Sequence, residues 1–221
     1  MLLAVPAMLA CTAANAMELG PVEGWESGSA DIFIFDGEMP DIIGAIDEGG
    51  RVNVELPEGV EAGRAFSDSF SCPYEGEISI SAPDATFASL GLSVARVAEQ
   101  EMIGELKAFS SPEYAKAWRA ALGAGDNAPK GGSSYNLIYV SEPARIEGTC
   151  DHDLQIDGTG TAPVKIHTEY AMEFDAGWQL LETETRATVT SERGVTWATD
   201  SLMHSATLDS DGVRWVVFLE R

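Results

Sequence analysis

Few side chains in this sequence stand at the spacings that chemistry requires. Asp151-His152-Asp153 places two carboxylates around an imidazole directly after Cys150, and His167 is a conceivable further donor to a metal ion. Neither these nor His204 show the His-x-x-x-His or Cys-x-x-Cys spacing of a metal site, so they read as solvated turn residues first and ligands second. Asp209-Ser210-Asp211-Gly212 is similar to part of an acidic calcium loop, which makes Asp209 and Asp211 calcium candidates, and Asp36-Gly37-Glu38, Asp41 and Asp47-Glu48 gather oxygens at hairpin ends. The bidentate Glu that closes a twelve-residue calcium loop is missing, and Asp-Gly is also ordinary hairpin chemistry. Gly91-Leu92-Ser93-Val94-Ala95 loosely matches a nucleophile elbow, but it falls inside a run of strand residues, whereas the elbow needs a sharp strand-to-helix turn. No catalytic residue and no cofactor is assigned on this basis.

The cysteines take their meaning from the compartment. Residues 2–9 form a short apolar run that ends in small residues and offers two processing exits: Ala14-Asn15-Ala16, a cleavage signal, and Met8-Leu9-Ala10-Cys11, a rough lipobox. The run is far shorter than the about 20 apolar residues that span a bilayer, and Pro6 interrupts any core helix there. Export is therefore expected, with the domain periplasmic, held on the outer membrane as a lipoprotein, or secreted. On the lipobox reading Cys11 carries lipid, residues 1–16 are the leader and residues 17–24 a polar tether. Cys72 and Cys150 are then an even pair in an oxidising compartment and are expected to form a disulfide, the alternative being two separate buried thiols.

The chain carries 36 acidic against 13 basic residues, a formal net charge of -23. Such a surface repels phosphate backbones and anionic headgroups, so nucleic acid is excluded as a partner and a lipid anchor is the only expected contact with a membrane. The charge suits solubility, or alternatively the binding of cations. At 45% hydrophobic residues the composition is that of a globular protein.

The elements that must position these groups are short strands between turn residues. Residues 30–35 (Ala-Asp-Ile-Phe-Ile-Phe) read as a buried strand, and residues 42–46 and 51–56 as a hairpin around Asp47-Glu48-Gly49-Gly50. Strands follow at residues 77–81, 87–97 and 101–109. Ser111 as N-cap, Pro112 at the first helical position and Gly123 after the end mark one short helix over 111–122, with Tyr114, Trp118 and Leu122 on one face. Residues 124–134, rich in Gly, Asn, Pro and Ser, mark a seam within the domain of residues 25–221. Strands then run at 135–140, 144–150, 165–174, 178–190, 195–199 and 213–219. Within 165–174, Ile166, Thr168, Tyr170, Met172 and Phe174 alternate with Lys165, His167, Glu169, Ala171 and Glu173. The expected class is all-β, an antiparallel sandwich or partial barrel, because parallel strands would need crossover helices that the pattern lacks.

Trp25-Glu26-Ser27-Gly28, Ile46-Asp47-Glu48-Gly49-Gly50 and Val52-Asn53-Val54-Glu55-Leu56-Pro57 resemble the opening of uncharacterised bacterial exported lipoproteins. Cys72-Pro73, Tyr139-Val140, Ile146-Glu147-Gly148-Thr149-Cys150, Gly177-Trp178 and Trp215 are similar to the later landmarks of that family. The resemblance implies a β-sandwich of the cell envelope. The expected function is a non-enzymatic binding or structural one, with an extracellular protein or glycan as partner, met through loops at one end of the fold. The alternative is an extracellular hydrolase, or an accessory domain of one, working through paired carboxylates.

Overall fold

The computed structural model describes residues 16–35, 40–60, 63–122, 129–155, 163–191, 195–208, 210 and 212–219. Cys11, Asp36-Gly37-Glu38, Asp209, Asp211 and residues 124–128 of the expected seam lie outside them; Gly132 to Ser134 of that seam open a strand. Among the described residues the chain is all-β and mostly antiparallel: fifteen strands form one sheet that does not close into a true barrel, twelve of them in a continuous path and three paired off it, and there are two short α-helices. Among the described residues no helix is long and apolar enough to cross a membrane.

The first half curls on itself. β1 (Ala16–Pro21), β2 (Ala30–Phe35), β3 (Pro40–Ile46) and β4 (Arg51–Glu55) lie side by side in the order β1-β4-β3-β2. β8 (Leu92–Arg96) and β9 (Glu101–Phe109) continue the row, and β15 (Arg214–Leu219) pairs with the other edge of β9. Val22 forms a parallel bridge to Trp215, so β1 returns beside β15 and the wall is joined there by a single bridge. Inside, alternate residues of each strand meet: Ile32, Ile34, Ile46, Val52, Val54, Val94 and Leu106 are fully or almost fully buried. The β3–β4 turn holds because Oδ1 of Asp47 accepts the backbone N–H groups of Gly49 and Arg51 at 2.8 and 2.9 Å.

The second half is a sheet in the order β10 (Gly132–Val140), β13 (Gly177–Thr190), β14 (Thr196–Ala206), β12 (Val164–Phe174), β11 (Ala144–Leu154) and β6 (Glu75–Ile80). β5 (Arg64–Ala65), the four-residue helix α1 (Phe66–Ser69) and β7 (Thr86–Leu90) pack at its side. Phe66 is fully buried and lies parallel to the rings of Phe87 and Phe174, at 5.1 and 6.0 Å, over Ile138, Val140, Ile146 and Met172.

Four expectations are corrected. Residues 17–24 are not a tether throughout: β1 pairs with β4 from Ala16 onward, burying Leu19 and Val22. The strand expected over 87–97 is two strands, because the chain changes partners at Gly91: Leu90 pairs with Leu137 of β10 and Leu92 with Leu106 of β9, turning a corner between the two halves. A second helix, α1, is present, too short to leave a periodic signal. One pair is parallel, β12 with β14, and it needs no helical crossover. β12 and β13 run antiparallel on either side of a tight turn but are not hydrogen-bonded to one another; β14, antiparallel to β13, occupies the place between them. The expected helix is α2 (Pro112–Leu122), capped as its sequence implies: the Tyr114 N–H donates to Oγ of Ser111 at 3.0 Å. Tyr114 and Trp118 pack with Phe109, and Trp118 also meets Phe218, on the outer side of β9 and β15, whereas the side chain of Leu122 lies outside the described residues.

Candidate functional site

Cys72 and Cys150 are joined by a disulfide that bridges 78 residues. The cross-link fastens the segment before β6 onto β11, and this brings two stretches of sequence together, since Tyr74 and Glu75 follow Cys72 while Asp151, His152 and Asp153 follow Cys150. With Lys165 of β12 they line an open recess of about 450 Å³. Tyr74 is 64% exposed, and its ring lies nearly parallel to the imidazole of His152, with 5.1 Å between centroids. Close packing of β6 against β11 depends on glycine. A Cβ on Gly76 would sit 2.2 Å from the carbonyl oxygen of Thr149, and one on Gly148 2.0 Å from that of Glu77.

Strand register sets the polar side of the recess. Asp151 faces His167, and Asp153 faces Lys165. The Asp151 carboxylate meets Nδ1 of His167 at 2.5 Å and Nζ of Lys165 at 3.1 Å, and Lys165 also reaches Glu75 at 3.7 Å. The His167 hydrogen bond, and after it the one from Lys165, hold the Asp151 carboxyl below its ordinary range; the same carboxylate raises the ammonium of Lys165. On its other flank His167 faces Asp200 of β14, whose Oδ1 is buried and finds no hydrogen-bond partner among the described residues.

Of the histidine and acidic residues singled out by sequence, the fold joins Asp151 to His167 and directs His152 elsewhere, because neighbours along a strand point to opposite faces. Among the described residues no three His, Cys, Asp or Glu side chains gather so as to hold a metal ion. Ser93 stands within β8, paired with Phe33 and Glu105, away from any turn into a helix. Asp41 is exposed in β3.

A further constellation carries no signal in the sequence. Tyr135, Glu182 and His204 lie in register across β10, β13 and β14. Glu182, with its side chain 14% exposed, accepts from the Tyr135 hydroxyl and meets Nε2 of His204 at 3.2 Å. Burial, together with the charge and hydrogen bond of Glu182, pushes the Tyr135 hydroxyl up to about 12. Residues so far apart in the chain become neighbours only through strand pairing. A cross-strand row of this kind stiffens the sheet, and its carboxylate is occupied on both sides.

Comparison of the chain with protein-family models, curated proteins and solved structures gives no match.

Proposed function

We propose that this chain is an exported, non-enzymatic binding protein of the cell envelope, anchored by lipid on Cys11, which captures a cationic side chain of an extracellular partner protein in the Tyr74 recess. The observation that carries the reading is the exposed Tyr74 ring, stacked on His152 and flanked by Glu75 and Asp153. An aromatic face beside carboxylates is a receptor for ammonium and guanidinium groups, through cation–π attraction and charge-assisted hydrogen bonds. Lys165 is turned toward Asp151 and Glu75. The surrounding charge of -23 draws cationic partners inward. The disulfide keeps the two halves of the recess in place, so little ordering is needed when the partner arrives.

The test is calorimetric titration with a short lysine- and arginine-bearing peptide, compared with its acidic counterpart and a neutral oligosaccharide. Tyr74→Ala leaves the net charge unchanged and is expected to weaken binding of the basic peptide at least about fivefold, the scale of one cation–π contact of roughly 1 kcal/mol. Equal affinity for both proteins would reduce the attraction to unspecific charge and overturn the assignment. Binding of the oligosaccharide alone would move the site to glycans.

A further inference from the structure

Large apolar side chains are not spread evenly over the surface. Of the five with high exposure among the described residues, Phe35, Ile42, Val97 and Met102 are 55%, 59%, 47% and 41% exposed and lie on one outer wall, on β2, β3, the turn after β8, and β9. Phe33 pairs with Ile42 and carries Phe35 edge-on at 5.3 Å. Phe33, Pro40, Ile42, Ala95, Val97 and Met102 line an apolar groove of about 400 Å³, with Phe35 beside it against the Phe33 ring. The wall is double-sided: Ile32 and Ile34 fill the interior, while buried Phe33 and exposed Phe35 lie on the opposite face, so β2 is apolar on both faces where an outer wall needs only one. Arg96 in the groove pairs with Glu101 and lies 3.7 Å from Glu99. The turn that presents Val97 ends at Gln100, held in the left-handed region at φ 57°, with the Val97 N–H donated to Asp31. A contiguous apolar patch of this kind marks a contact surface.

We infer that this wall rests on the surface of a lipid bilayer. Two observations select that occupant. First, β1 starts at Ala16, which pairs with Glu55 of β4, and β4 lies beside β3, so the start of the described chain is two strands, about 10 Å, from the groove. Cys11 is five residues earlier and can be at most about 17 Å from Ala16. An acyl chain on Cys11 would therefore hold this end of the domain against the membrane. Second, among the described residues the only charged ones lining the groove are Arg96 and Glu101, which cancel, in a chain of net charge -23. A zwitterionic surface admits such a groove, whereas a second copy would bring a like charge of the same size. The inference rests on the Cys11 anchor proposed above and adds a second point of contact, which turns a loose tether into a fixed orientation. The Tyr74 recess lies far from that wall in the strand order, at β6 and β11.

The mature protein recovered from cells, bearing Phe35→Trp, is mixed with phosphatidylcholine vesicles whose acyl chains are brominated. The emission added by the new indole is expected to be quenched by more than half, while that added by Tyr74→Trp is unchanged. Ile42→Asp with Met102→Asp is expected to abolish the quenching while thermal unfolding stays cooperative. Protein held on the vesicles without quenching would overturn the inference and leave the anchor standing. Protein not held at all would overturn both, and mass spectrometry of the N-terminus then reports whether Cys11 is retained. A dimer in sedimentation that the two aspartates dissolve would assign the wall to a second copy and overturn the inference.

Discussion

The hydroxyl of Tyr135 and the carboxylate of Glu182 are hydrogen-bonded across adjacent strands, at the border between the barrel-like half and the open sheet. Burial first, then the negative charge of Glu182, favours the neutral phenol in the folded chain. In the unfolded chain Tyr135 ionises near 10, and in the folded one near about 12. Its contribution to stability is therefore intact below the lower value and lost as pH rises through the upper one. Glu182→Gln is expected to bring the Tyr135 titration part of the way back toward 10, as read by ultraviolet difference absorbance. A titration left unchanged would mean that burial alone is responsible.

Asp151 titrates with the opposite sign. Its carboxyl is lowered by the hydrogen bond from His167 and then by Lys165. The unfolded chain takes up this proton first as pH falls, so the contribution is complete above about pH 4 and disappears as pH drops through the lowered folded value. Denaturant midpoints for the parent chain and Asp151→Asn should accordingly differ at neutral pH and converge in acid. Parallel curves over the whole range would show that the pairing with His167 carries no net stability.

The cross-link between Cys72 and Cys150 closes a separation of 78 residues. In the chain-entropy account, a loop of that size is worth at most ~4 to 5 kcal/mol, and native bridges typically contribute about 2 to 4. Cys72→Ser with Cys150→Ser should lower the unfolding free energy by that amount in guanidinium titrations. It should also weaken the basic peptide at the recess, because Tyr74 would no longer be fixed to β11. A loss of stability with unchanged affinity would separate the bridge from the site.

Gly148→Ala is the sharpest test of how β6 is seated. The added methyl would lie 2.0 Å from the Glu77 carbonyl oxygen, at a backbone φ of 139° that side chains avoid. A cost of roughly 2 to 4 kcal/mol is expected from overpacking and backbone strain together. Faster amide exchange confined to β6 and the neighbouring part of β11 would locate the damage.

Much of the architecture was legible because alternation and turn residues are local. The hairpin around Asp47, the cap at Ser111 and the strand ending at Phe174 each announce themselves within a few residues, and cysteine parity in an oxidising compartment leads to the bond between Cys72 and Cys150. What stayed hidden depends on pairing between distant strands. Nothing near Gly91 tells that Leu90 and Leu92 will take different partners, and nothing in residues 164–206 tells that β14 enters between β12 and β13. The recess follows the same rule. Asp151 and His152 were visible as a motif, but Tyr74 gains its place through the disulfide, and Tyr135, Glu182 and His204 meet only by register. Phe35 belongs to the strand read as buried, because an apolar residue on the outer side of a strand has the same spelling as one within.

Among the described residues β6 ends the sheet with β11 as its sole strand partner, which leaves a row of backbone donors and acceptors along its far side. Edges of this kind recruit further chains and grow into fibres. Exposed Glu75 and Glu77 set like charges where a second molecule would have to align. The anionic character of the chain thus also acts as a guard against self-templating. Concentrated salt, by screening that repulsion, is the condition under which the protein's shelf life would be shortest.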